Sequence, residues 1–294
     1  MQAVVYIVVY TVFGSLPFLY GIVLLSSDKG LVMWGGVWGQ AVKVVMKGSF
    51  LFVLAFLVKL PVFPFYLWLP KAHVEAPLAG SMILAGLLLK LGGYGLIRLN
   101  RVVVKPLGRN FYMFLVVCGL FGGLLTSLIC LQQRDLKALV AFSSIGHMRL
   151  VFFGAIRNYS WGLVGAVVLI VGHGLCSSGM FVGVDGMYQR RGSRAMIINK
   201  GFLVLNPVFR VLFFLVVIGN IPAPLRLNLF GEVLVLSVGS VVGVYLIIML
   251  RFISFLRGCF NLYLYGGTQH GKNRGVIRSR VERGFLTRIV LFFH

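Results

Sequence analysis

Acidic residues are scarce: 6 Asp and Glu stand against 28 Lys and Arg in 294 residues, a formal charge of +22. Charged residues of both signs make up only 12% of the chain and hydrophobic ones 59%, whereas soluble globular domains carry roughly 25% charge. With a mean hydropathy of +0.97, this excludes a water-soluble domain and makes the bilayer the solvent. Cysteine is sparse too. Cys118, Cys130, Cys176 and Cys259 stand singly, without C-x-x-C spacing, which excludes a local zinc or iron–sulfur motif and reads as small buried hydrophobes. No G-x-G-x-x-G dinucleotide fingerprint occurs. The first ten residues lack a basic n-region, a cleavage site and an Arg- and Ser-rich amphipathic pattern. They read as a membrane span from the outset, which suits a protein inserted where it is made, as in a mitochondrion translating its own message.

What is present is a series of apolar runs, at 2–25, 49–69, 78–99, 111–131, 136–156, 161–184, 201–236 and 240–265. At about 20 residues per crossing they predict an all-α, polytopic bundle of about eight spans, forming a single membrane domain over 1–294. Short polar stretches such as Gln132-Gln133-Arg134-Asp135 and Ser26-Ser27-Asp28-Lys29-Gly30 join neighbouring spans. Two runs are irregular. The second holds Pro61 and Pro64, and the seventh, too long for one straight helix, holds Pro222 and Pro224. An interior proline removes an intrahelical bond, and a broken helix persists at membrane depth only where its freed backbone faces protein or a wet cavity. In transporters such breaks mark ion sites.

The basic excess falls in short connections (Arg98, Arg101, Lys105, Arg109; Arg190, Arg191, Arg194, Lys200) and in the tail (Lys272, Arg274, Arg278, Arg280, Arg283). That placement predicts contact with headgroups and anionic lipids such as cardiolipin. Nucleic acid is not expected as a partner, because no basic, aromatic-studded soluble face exists.

Lys59 and Lys90 lie well inside apolar runs, where a lysine costs about 2.5–3.5 kcal/mol on insertion scales and usually faces the bundle interior or a water-filled path. Arg98 and Arg149 instead read as snorkelling residues. A lysine away from water is disfavoured as an ammonium and restored by a nearby carboxylate, so moving that partner switches it between holding and releasing a proton. Glu232, in Leu229-Phe230-Gly231-Glu232 just past the second break, is the acidic counterpart. His147 and His173 are mid-span imidazoles, suited to proton relay or to hydrogen-bonded packing. Neither has the paired spacing of a metal ligand. Lys71, His73 and Glu75 form a polar knot between two spans. Lys71 and Glu75, four apart, would pair if helical, and a role in proton access is a weaker expectation there.

Several of these stretches carry a resemblance: Leu57-Val58-Lys59-Leu60-Pro61, Leu67-Trp68-Leu69-Pro70-Lys71-Ala72-His73-Val74-Glu75-Ala76-Pro77, Leu89-Lys90-Leu91-Gly92-Gly93-Tyr94-Gly95, Ser143-Ser144-Ile145-Gly146-His147-Met148, His173-Gly174-Leu175-Cys176-Ser177-Ser178 and Leu227-Asn228-Leu229-Phe230-Gly231-Glu232. Together they resemble the chain 4 family of NADH-ubiquinone oxidoreductase, the antiporter-like membrane subunits of mitochondrial respiratory complex I. The match extends over essentially the whole chain.

The resemblance implies an antiporter-like fold of inverted five-helix repeats, each with one broken helix, with the first repeat incomplete and the chain truncated at both ends. By motif position, Lys59 is similar to the family's pumping-centre lysine, Lys90 to its connecting residue and Glu232 to its terminal acidic group. His147 and His173 match histidines that link the halves. The upstream glutamate that partners the central lysine is absent. Tyr66 takes a place often held by histidine, and Gln189 one where an acid is common.

The implied function is proton translocation in the inner mitochondrial membrane, driven by electron transfer from NADH to ubiquinone in other membrane-arm and redox subunits. NADH, FMN, iron–sulfur clusters and ubiquinone belong to those partners, and no cofactor or metal to this chain. The alternatives are a cation/proton antiporter subunit and a structural membrane-arm fragment without transport.

Overall fold

The computed structural model describes residues 2–27, 52–103, 109–157, 159–201, 207–224 and 226–271. The basic tail beyond Gly271, Lys105, most of the 26–30 turn and the starts of the second and seventh apolar runs lie outside the described residues. Helices account for nearly all of the rest. In chain order they are α1 (Gln2–Ser27), α2 (52–59), α3 (Trp68–Glu75), α4 (Leu78–Ile83), α5 (Leu89–Val103), α6 (Arg109–Gln132), α7 (Leu136–Ile156), α8 (Ser160–Arg191), α9 (Pro207–Asn220), α10 (Leu227–Val242) and α11 (Val244–Gln269). A π-helical turn, Leu84–Leu88, fuses α4 to α5. No strand occurs among the described residues, only a backbone bridge between Asp135 and Ala195.

Six of the resulting helical stretches are long and apolar enough to cross a membrane: Val4–Val23, Leu78–Asn100, Met113–Gln132, Leu136–Ile156, Ser160–Arg191 and Val244–Gln269. The two runs with paired interior prolines are the interrupted ones, whereas α1 accommodates Pro17 without a break. The first parts into α2 and α3 across residues 60–67, where Trp68 Nε1 donates to Val58 O at 3.2 Å and ties the halves together. The second parts into α9 and α10 across 221–226, where Asn228 Nδ2 donates to Gly219 O at 2.7 Å. Each break therefore has its own side-chain bolt, which satisfies a carbonyl that the missing helical turn would have left open.

The packing is centred on α7. Almost every residue from Leu136 to Ile156 is buried, and α3, α5, α6, α8, α10 and α11 all lie against it. A helix apolar around its whole circumference belongs at the middle of a bundle. Its start is fixed by Asp135, whose carboxylate accepts from Lys137 N at 3.0 Å as an N-cap. Between α8 and α10 the contacts rely on glycine: a Cβ on Gly165 would lie 2.9 Å from Gly231 O, and one on Gly231 would lie 2.8 Å from Leu169 Cγ. Small residues that let backbones close up are the usual means of helix association in lipid, where no hydrophobic drive separates helix from solvent. In contrast, α1 is peripheral and mostly exposed, resting on Phe52 and Val58 of α2 through Gly21 and Gly14.

Candidate functional site

The polar interior is built where α7, α8, α10 and α11 meet beside the π turn. Glu232, one residue beyond the α8-facing Gly231, forms an ion pair with Arg257 of α11 at 2.7 Å, and both are almost wholly buried. The other arm of the same guanidinium, Nη1, donates to His147 Nδ1 at 2.9 Å. His147 stacks on His173, the ring centroids 4.4 Å apart and the planes inclined by 15°. His173 Nδ1 lies 3.3 Å from Asn220 Oδ1, Asn220 Nδ2 donates to Asn261 Oδ1 at 3.0 Å, and Asn261 donates back to Arg257 O at 2.9 Å. Both imidazoles are fully buried, and the Nε2 atom of each has no hydrogen-bond partner.

Donor and acceptor roles follow from this network. Arginine only donates, so His147 Nδ1 carries a lone pair and its proton sits on Nε2. The amide of Asn220 offers an oxygen to His173, so that ring carries its proton on Nδ1 and a lone pair on Nε2. A stacked donor-ready and acceptor-ready pair results.

Lys90 approaches this pair from the opposite side. It is 7% exposed and donates to Ala85 O within the π turn. A π turn inserts one residue into the helix and frees a carbonyl; here it supplies the ammonium with a partner inside the bundle. The Lys90 Cε would stand 3.4 Å from a Cβ on Gly174, so the lysine stem meets α8 at the residue next to His173. The structure thus brings Lys90, His173, His147 and Glu232 into one line and adds Arg257, Asn220 and Asn261, which sequence reasoning did not single out.

Lys59 is not part of that line. It is exposed on the outer face of α2, beside Gly92 at the middle of the Leu78–Asn100 crossing, where a Cβ on Gly92 would be 2.9 Å from Lys59 Cβ. The expected interior position of its side chain is therefore corrected: the neighbouring α2 residues Val58 and Leu60 are buried, and helical geometry turns Lys59 the other way.

Lys71 and Glu75 are exposed on α3, with Lys71 Nζ 4.1 Å from the centroid of Tyr6. His73 on the same helix is fully buried, stacked on Phe181 at 4.5 Å, and neither ring nitrogen has a hydrogen-bond partner. Phe181 in turn helps line a small recess with Leu78, Lys137, Val184, Asp185, Tyr188 and Arg194. Lys137 donates to Ala76 O and Arg194 Nη1 to Val74 O at 2.7 Å, so two cations close the C-terminal end of α3. Gln189 donates to Asp185 at the mouth.

Arg149 requires a second correction. It does not snorkel; it is completely buried, with Nη2 donating to Pro61 O at 2.8 Å and Nη1 to Gly119 O at 3.2 Å. The chain leaves helical geometry at Leu60, so the Pro61 carbonyl has no helical N–H and the guanidinium supplies one. Arg98 is exposed. Of the cysteines, Cys130 is buried, whereas Cys118, Cys176 and Cys259 are only partly so. Among the described residues no three His, Cys, Asp or Glu side chains group as a metal site.

A helix bundle with two interrupted helices around a charged interior defines the antiporter-like membrane subunits as its class. Residues 1–257 match the family described as NADH:quinone oxidoreductase/Mrp antiporter, transmembrane, and the chain belongs to that family. It is 47% identical over 272 residues to NADH-ubiquinone oxidoreductase chain 4 of Mytilus edulis, covering 92% of this chain and 62% of that protein. The chain thus spans about three fifths of the length of the curated relatives it matches. Among solved structures, a chain of respiratory complex I from Thermus thermophilus superposes with a TM-score of 0.80 at 21% identity over 99% of this chain and 63% of its own. A chain of the Mrp complex from Dietzia sp. DQ12-45-1b gives 0.81 at 18% identity over 92% and 51%. At such identities the likeness is one of fold.

Proposed function

We propose that this chain is a proton-translocating part of the membrane arm of NADH:ubiquinone oxidoreductase, with Lys90, His173, His147 and Glu232 as its transfer groups. The observation that supports this most is the contact line from Glu232 through Arg257 to the stacked histidines, with Lys90 packed against α8 at the residue after His173. Every titratable group in it is buried, and intramembrane ionisable residues ordinarily serve substrate or proton pathways. Moving one charge through 100 mV is worth about 2.3 kcal/mol, an amount that displacing a buried counter-ion is able to supply. The relatives' name gives NADH and ubiquinone as the reactants, and the reading assigns the redox chemistry, with FMN and iron–sulfur clusters, to partner subunits. The setting is the mitochondrial inner membrane, with cardiolipin-like anionic lipid against the exposed basic residues.

Replacing Lys90 with Met tests the reading in sealed vesicles. The complex assembles and oxidises NADH, and the number of protons moved per electron falls; an unaltered ratio takes Lys90 out of the path. A second reading, a cation/proton antiporter subunit, is favoured by the fold shared with the Mrp complex chain. It requires that a sodium gradient drive proton movement through the chain without NADH. If neither activity is present, the chain is a structural element of the arm.

A further inference from the structure

We infer that Arg257 is a gating residue that makes passage of a proton through His147 conditional on the charge of Glu232. The inference rests on the proton-translocating reading above and adds to it a residue which touches no substrate and acts through its two neighbours. Conduction through an imidazole uses both ring nitrogens, since a proton enters at one as an equivalent proton leaves from the other. In either direction, His147 must carry hydrogen on Nδ1 at some stage. That position is occupied: Arg257 Nη1 donates to it at 2.9 Å, and two donors cannot face each other across a hydrogen bond. So long as the guanidinium stays, the His147–His173 pair is closed at this end.

What holds the guanidinium is the other arm. Nη2 sits 2.7 Å from Glu232 Oε2, and a buried ion pair is strong only while both partners are charged. A proton arriving on Glu232 neutralises the carboxylate and loosens that arm. Arg257 is then free to swing from His147, and Nδ1 opens. The groups facing His147 are Arg257 from α11, His173 from α8 and Glu232 from α10 through Arg257, with the charge of Lys90 reaching it from α5. No covalent or redox step is involved; one proton enters the ring and one leaves it.

Arg257→Lys in the assembled complex is the test, because a lysine is able to keep the ion pair with Glu232 but its single ammonium does not hold His147 at the same time. In sealed vesicles, NADH oxidation continues while protons moved per electron fall to the level of Lys90→Met. The double variant Arg257→Lys/His147→Gln shows no additional loss, because both changes act on one contact. Parent-like proton movement in Arg257→Lys, alongside a loss in Lys90→Met, overturns the gate and leaves the proton-translocating reading intact. Parent-like movement in Lys90→Met strikes at that reading itself. If Arg257→Lys does not assemble, Arg257→Met, which leaves Glu232 and His147 in place, replaces it: assembly with uncoupled NADH oxidation supports the gate. Either coupled pumping or failed assembly in that variant makes Arg257 a packing element and overturns the proposal.

Discussion

Two buried arginines carry much of what the individual residues have to say. Arg149 spends its guanidinium on carbonyls, Pro61 O and Gly119 O, whereas Arg257 spends its own on titratable partners. The first is therefore expected to behave as a structural part. Arg149→Met leaves the Pro61 carbonyl without a donor, at a cost of about 1–3 kcal/mol, and lowers the thermal midpoint of the assembled complex without altering protons moved per electron. A changed ratio at unchanged midpoint would refute that division of labour. Neither arginine was legible as buried from its neighbours alone. Arg257 meets His147 across 110 residues of sequence and Arg149 meets Pro61 across 88, and an arginine flanked by apolar residues reads identically whether it pairs inside the bundle or reaches out to headgroups. Lys90, His147, His173 and Glu232 were easier to nominate, because a titratable group far from both ends of an apolar run has few bland explanations. Lys59 met the same criterion and points outward, since depth along a span says nothing about which face is presented.

Proline made the interrupted helices readable, while the π turn left no mark in the sequence. Pro61 and Pro64 in one run and Pro222 and Pro224 in the other remove backbone donors, and the helices part at those places. Leu84-Ala85-Gly86-Leu87-Leu88 contains nothing that forbids an ordinary α turn. Its extra residue is specified by the surroundings, among them the Lys90 ammonium that takes the Ala85 carbonyl. A similar dependence on fit governs α8 and α10. Gly231→Val places atoms where Leu169 Cγ already lies 2.8 Å from an added Cβ, and overpacking of this kind costs about 1–3 kcal/mol. Since Glu232 is the next residue, the expected result is loss of both thermal stability and proton movement. Leu169→Ala in the same chain makes room and restores part of each. No rescue would mean that the helix spacing is not what positions the carboxylate.

For the molecule as a whole, the all-α class and the interrupted helices follow from composition, run length and proline placement, because a bilayer allows so few ways to satisfy a backbone, whereas the antiporter-like architecture is legible only through the motif resemblance. The surface adds one feature that composition does not reveal: Lys59 lies exposed at mid-crossing height. In a bilayer containing the 294-residue chain alone, Lys59→Leu is expected to increase insertion, reflecting about 2.5–3.5 kcal/mol on insertion scales. In the assembled arm the same change is expected to lower proton movement if a carboxylate from another helix meets this lysine there. Equal insertion of the two forms would mean that the ammonium already reaches headgroups.

The length of α8 links distant parts of this architecture mechanically. It runs for 32 residues without a proline, from Ser160 to Arg191, and carries His173 and Asp185 on one continuous helix, about 18 Å apart at 1.5 Å per residue. A tug on the carboxylate at the membrane-edge recess is thereby a tug on the imidazole in the interior. Load applied at one end of such a beam arrives at the other as displacement, with little lost to bending along the way.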